Sequence, residues 1–145
     1  MKYQDFLKER PSVCTFCTPT DRIITENEQA FVTYSLAALC KHHILVVPKR
    51  HVVSVRELSQ KESSAVDELI KESIASLEKL GHGFTMVCMR DGPHPGKSIE
   101  HLHYHLIPEM DIRPEFNIDI TKKGDVRVIL TKDEIDATLA DFARV

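Results

Sequence analysis

The order of local patterns along the chain predicts an α+β domain built on an antiparallel sheet with one long helix packed against it. Three observations carry this reading. Apolar and β-branched stretches at Arg22–Thr25, Ala30–Ser35 and His43–Pro48 follow one another with short polar breaks. A single long helical period then runs through Val66, Leu69, Ile70, Ser73, Ile74, Leu77 and Leu80. Two more strand patterns, Phe84–Arg90 and His101–Pro108, come after it. Sheet strands on both sides of one helix give α+β rather than alternating α/β.

Each element has a local cause. Lys2–Lys8 suits a short helix that ends before Pro11. Glu26-Asn27-Glu28 is a polar hairpin turn between the first two strands, and His-Ile-Leu-Val-Val-Pro at 43–48 is a continuous apolar run of a buried strand. Ser59 and Glu62 have capping-box spacing ahead of the long helix, and Gly81 and Gly83 end it. Asp91-Gly92-Pro93-His94-Pro95-Gly96 is a loop. A last strand, Val126–Leu130, leads into a second capping box at Thr131–Glu134 and a C-terminal helix.

Composition narrows the function classes. The 145 residues are 42% hydrophobic and 28% charged, as in a globular protein large enough to bury a core. A formal charge of -3 argues against a dedicated nucleic-acid binder, yet leaves room for a local site that takes small anions. No apolar run nears the roughly 20 residues that cross a bilayer, and no secretory leader is visible. The expectations are a cytoplasmic protein, no membrane partner and no nucleic acid. Four cysteines are too few for a disulfide scaffold; Cys40 and Cys88 read as core residues.

The chemistry concentrates in His101-Leu102-His103-Tyr104-His105. Alternate residues of a strand share a face, so the three histidines are expected on one side and Leu102, Tyr104 and Leu106 on the helix side. Neighbouring imidazoles repel when protonated, which favours neutral rings able to act as nucleophile, base or metal ligand. Alternate strand residues lie about 6.5–7 Å apart at Cα, so three in a line converge poorly on one metal ion. A central nucleophile with a helper on either side fits better. Cys14-Thr15-Phe16-Cys17 supplies half a zinc site by spacing, with a reducible disulfide, a redox pair and two plain thiols as the other readings.

These residues together resemble the histidine triad (HIT) family of nucleotide hydrolases and transferases. The resemblance runs from Val13 to Pro108 and includes Val47-Pro48 before Lys49-Arg50-His51, the loop Asp91-Gly92-Pro93 with Gly96-Lys97-Ser98, and the triad itself. Loop and triad are most like the fragile-histidine-triad branch, which hydrolyses diadenosine polyphosphates. The Cys-x-x-Cys is more like zinc-containing bacterial members and the galactose-phosphate uridylyltransferases. Residues 109–145 then form an extension of one domain spanning 1–145, expected to cover the site or a partner subunit.

The resemblance implies covalent catalysis: His103 attacks the α-phosphorus, and water releases a nucleoside monophosphate. His105 would contact phosphate oxygens and assist proton transfer, His43 would share the pocket, and His101 would complete the set. Histidine at 105, where transferases carry Gln, favours hydrolysis. Gly96, Lys97 and Ser98 are the expected phosphate loop, and Ser35 falls where the family places a ribose contact. Phe16, Ile24, Phe31 and Leu45 offer an apolar slot for the base. Arg90 departs from the family's amide at that point and would add positive charge for phosphate. Zinc-bearing members imply His51 and His101 as the partners of Cys14 and Cys17 in a closed structural Zn2+ site. Family members commonly pair, so a homodimer is expected. Nucleotidyl transfer or phosphorolysis is the alternative activity, and a slow nucleotide-sensing module the alternative class.

Overall fold

Residues 1–9, 12–93, 99–110 and 127–145 are described by a computed structural model of the chain. In chain order the elements are α1 (Tyr3–Glu9), β1 (Ile23–Glu26), β2 (Ala30–Tyr34), β3 (Ala37–Ala38), β4 (Ile44–Pro48), a 3-10 turn (Val55–Glu57), α2 (Gln60–Lys79), β5 (Thr85–Met89), β6 (Tyr104–Pro108), β7 (Val128–Ile129) and α3 (Lys132–Ala143). Five strands form an antiparallel sheet in the order β1-β2-β4-β6-β5, and β3 pairs with β7 in a separate two-stranded ladder. The α+β class and its antiparallel sheet stand as the sequence predicts. Among the described residues no helix is long and apolar enough to cross a membrane.

The sheet sorts its side chains by the two-residue period. Ala30, Val32, Ile44, Val46 and Leu106 pack with Val66, Leu69 and Leu77 of α2 and Phe142 of α3. Each such large side chain contributes about 1.5–3 kcal/mol by leaving water. Phe31, Leu45 and Val47 occupy the other face and pack with Phe16 of the N-terminal segment. Both faces of β2 and β4 are therefore covered, which is why these strands are apolar throughout. Asn27 fixes the hairpin ahead of them: its Oδ1 accepts from the Ala30 amide at 2.9 Å and its Nδ2 donates to Ala65 O on α2 at 2.9 Å.

Both capping boxes form. Ser59 Oγ accepts from the Glu62 amide at 3.1 Å while Glu62 Oε1 accepts from the Ser59 amide at 2.9 Å. Thr131 and Glu134 repeat the pattern at α3. Gly81, at φ 97°, provides the left-handed residue that ends α2. Glu62 does more than cap, since it is buried and also accepts from Arg50 Nε at 3.0 Å and Nη2 at 2.9 Å. The Arg50 hydrogen bond, followed by that of the Ser59 amide, holds its carboxyl down to about 2. Glu62→Ala is expected to lower stability by about 2 kcal/mol in urea denaturation. Because this carboxyl is depressed when folded, its contribution is full above its ordinary 4.5 and lost as pH falls through about 2.

Most boundaries shift by a single residue, and two differ by more. The strand expected over His101–Pro108 begins only at Tyr104. The Leu102 amide bonds instead to Val52 O at 2.7 Å, and His101 turns inward to full burial. The C-terminal strand is two residues long and pairs with β3, which the sequence analysis did not predict; the Val126 end of the predicted strand lies outside the described residues.

Candidate active site and metal centre

The face carrying Leu45 and His105 borders a cavity of about 500 Å³, also lined by His51, His101, His103 and Ser35. Its central imidazole is fixed by the backbone. His103 Nδ1 lies 2.8 Å from His101 O. A carbonyl only accepts, so Nδ1 carries the hydrogen and a neutral ring keeps its lone pair on Nε2. Phe16 meets the His103 ring edge-on at 5.5 Å and His105 meets it at 4.9 Å.

The tautomers of the neighbouring rings follow from one amide. Leu39 N–H donates to His43 Nδ1 at 3.1 Å, which leaves the hydrogen of a neutral His43 on Nε2. That group donates across 2.9 Å to His105 Nδ1, placing the His105 hydrogen on Nε2. Neutrality is enforced. Burial first, then the charges of Arg127 and His103, push His43 down to about 3. Burial also holds His105 well below its ordinary 6.5, with His103, His43, Arg127 and Arg90 adding to the effect. His105 thus offers an N–H donor from a ring that stays uncharged.

This burial has a stability consequence. An unfolded His43 takes a proton below its ordinary 6.5, whereas the folded ring resists to about 3. Stability is full above the upper value and falls by up to about 1.4 kcal/mol per pH unit between the two for this residue. His43→Gln is expected to flatten the dependence between about pH 6 and 5, above most carboxylate titrations. Denaturation midpoints across that window check it; an unchanged slope would show that His43 is charged when folded.

His101 sits apart from this chain of rings. Its Nδ1 is 3.4 Å from Cys14 Sγ and 3.6 Å from Cys17 Sγ, and Cys17 Sγ is 3.2 Å from His51 Nδ1. The four donor atoms lie within 4.8 Å of one another, a group that can hold a metal ion. Bond lengths near 2.3 Å to sulfur and 2.0–2.1 Å to nitrogen make the sulfur–nitrogen edge of a tetrahedron about 3.6 Å. The spacing fits a four-coordinate ion with little movement. His101 Nε2 donates to Pro48 O at 2.7 Å, so Nδ1 presents its lone pair to the cysteines.

The remaining sequence-predicted residues divide. Ser35 is buried at the cavity wall, where its hydroxyl donates to Ala37 O at 3.2 Å. Arg90 follows β5 close enough for its charge to act on His105. Phe16 and Leu45 line the cavity and Phe31 packs behind Phe16, but Ile24 lies on the opposite face against the α2 core. The strand period explains that: Ile23 joins the Phe16 cluster and its neighbour points the other way. Gly96, Lys97, Ser98 and His94 lie outside the described residues.

Among the cavity residues that sequence reasoning did not assign are two arginines, Arg22 and Arg127. The Arg22 guanidinium stacks over Phe16 at 5.6 Å and Tyr34 at 5.0 Å. Arg127 precedes β7, donates from Nη1 to Ala37 O at 2.8 Å and lies 5.4 Å over the Tyr3 ring. Neither sits in a local motif, because each is placed by partners distant in sequence.

Residues 18–112 match the HIT domain. The nitrilase and fragile histidine triad fusion protein NitFhit of Caenorhabditis elegans is 33% identical over 95 residues, 64% of this chain but 21% of that protein, so this chain spans about a fifth of it. Its crystal structure superimposes with a TM-score of 0.67 at 22% identity, over 86% of this chain and 27% of that one. The bis(5'-adenosyl)-triphosphatase of Dictyostelium discoideum is 32% identical over 101 residues, 68% of this chain and 66% of that protein. A zinc-bound histidine triad protein from Mycobacterium smegmatis shares the fold at TM-score 0.64 and 18% identity, over 90% of this chain and 94% of that one. With the family match covering well over half its length, the chain belongs to the HIT family.

Proposed function

We propose that this protein is a nucleotide hydrolase that attacks the α-phosphorus of a dinucleoside polyphosphate or nucleoside phosphoramidate through a nucleotidyl-histidine intermediate. The observation that carries the reading is the His103 hydrogen bond to the His101 carbonyl, which puts the lone pair of the neutral ring on Nε2, in a residue that lines the cavity. The relationship to a bis(5'-adenosyl)-triphosphatase supports the substrate class.

The step balances without an outside reagent. His103 Nε2 gives its electron pair to phosphorus, the bond to the leaving group breaks, and that group departs with the bonding pair. The ring keeps its Nδ1 hydrogen and becomes cationic, facing the His101 carbonyl. His105 Nε2–H donates to a non-bridging oxygen and stabilises charge that grows as phosphorus becomes five-coordinate. Water then breaks the nitrogen–phosphorus bond and restores the neutral ring. Phosphate leaves as an anion, whereas an amine must take up a proton as it leaves and the N–H groups of neutral His43 and His105 are very weak acids, so the chemistry favours the anhydride.

The Cys14, Cys17, His51 and His101 group, which can hold a metal ion, would hold a structural zinc. With four protein donors it is closed, and it supplies rigidity rather than an activated water. The ring of His101 is thereby anchored, and its carbonyl holds the nucleophile.

The test is to mix the protein with nucleotide labelled at the α-phosphorus and quench in base. Acid-labile label on wild type and none on His103→Ala is the expected result. Release of monophosphate with no label retained under any quench would overturn the covalent route.

A further inference from the structure

We infer that Arg22, which enters the cavity across the sheet from the triad, reads the base of the substrate and gives the site a preference for guanine over adenine. The inference rests on the reading of the cavity as a nucleotide site. It deepens that reading by naming the base, which the family match leaves open.

Strand register sets where Arg22 stands. On one row across the sheet, His105 of β6 is opposite Leu45 of β4, Leu45 is opposite Thr33 of β2, and Thr33 is opposite Ile23 of β1. Three strand spacings make about 14 Å. Arg22 adjoins Ile23 and lines the same cavity as His103 and His105. The span between them is walled by Leu45 and Phe16. The Phe16 ring meets that of His103 at 5.5 Å and lies under the Arg22 guanidinium at 5.6 Å. With the phosphorus held at the imidazoles, a nucleoside crosses this apolar stretch and its base arrives at Arg22.

The chemistry of the group then selects the base. Contact with the faces of Phe16 and Tyr34, the second at 5.0 Å, holds the cation without using its N–H groups as donors to oxygen. Nε is buried and has no hydrogen-bond partner, so the donors open to a ligand are those of the two Nη atoms. They form a planar fork that donates and never accepts. Guanine presents two neighbouring acceptors, O6 and N7, and takes both donors. Adenine presents N7 beside an N6 amino group, so one donor meets another donor. In an apolar surrounding an unmatched donor is costly, and the mismatch is penalised as well as the match rewarded.

The alternative is that Arg22 only braces two aromatic rings or attracts phosphate. Nucleotides that differ in the base alone separate these roles. By calorimetry GMP is expected to bind about 10- to 100-fold tighter than AMP. IMP, which keeps O6 and N7 but lacks the 2-amino group, should bind like GMP. In Arg22→Met, whose unbranched side chain still packs on Phe16 and Tyr34, the three affinities should come within about threefold of one another. Arg22→Lys, with a point charge in place of the fork, should keep only part of the preference. Equal affinity for GMP and AMP in wild type, IMP binding like AMP, or equal losses of GMP and AMP in Arg22→Met would each overturn the inference. Failure of wild type to hydrolyse either diguanosine or diadenosine triphosphate would sink the proposed hydrolase, and would leave Arg22 standing where the GMP preference depends on it. Hydrolysis of both with equal kcat/KM would do the reverse.

Discussion

His103→Ala is expected to lower turnover by roughly 10⁴-fold or more while nucleotide affinity stays within a few-fold of wild type. The separation follows from what the ring does. It lines the cavity rather than filling the core, touching Phe16 and His105 at its edges, so its removal widens the cavity without opening the packing against α2. The remaining site keeps its other cavity-lining groups, including the apolar wall of Phe16 and Leu45 and the guanidiniums of Arg22 and Arg127. Binding energy is therefore retained and the bond-forming lone pair is lost. His105→Ala should have a smaller effect, since it removes a hydrogen-bond donor to the developing charge and leaves the nucleophile, a loss of about 10²–10³-fold. Unchanged turnover in His103→Ala with intact binding would identify a nucleotide-sensing module instead. Discharge of labelled intermediate by phosphate but not by water would identify a phosphorylase.

What the sequence made legible was local. The two capping boxes and the α2 period concern residues three or four apart, and the structure places both ends of α2 where those signals do. Cys14 and Cys17 were legible as a half-site for the same reason, but their partners lie 34 to 87 residues away and came only from family resemblance. Alternation at 101–105 misled in one respect. It treats a strand as regular, whereas the Leu102 amide bonds to Val52 O, His101 is buried beside the cysteines, and the strand starts only at Tyr104. The proton chain from Leu39 through His43 to His105 depends on β4 and β6 lying side by side, with Leu45 opposite His105. Arg127 had no local signal at all, because a two-residue ladder to β3 leaves almost no trace in the pattern of side chains.

Metal removal is the other large effect. Purified protein should contain about one zinc per chain, and stripping it should lower stability by about 4 kcal/mol if the ion binds at a thousandth of its free concentration. For a chain of this size that is about 8–16 °C in Tm. The reason is topological as well as energetic. The donors come from positions 14, 17, 51 and 101, so one ion joins the N-terminal segment to the end of β4 and the approach to β6. In its absence the N-terminal segment keeps Phe16 in its apolar cluster, so the fold should loosen locally rather than collapse. Activity should fall more steeply than stability, because the carbonyl that orients His103 belongs to a residue whose ring has lost its anchor. Cys17→Ser, which alters an exposed donor without touching the core, should reproduce both changes, and added zinc should restore neither fully. Metal-free protein with undiminished Tm and turnover would show that the two cysteines and two histidines hold this corner by hydrogen bonds alone.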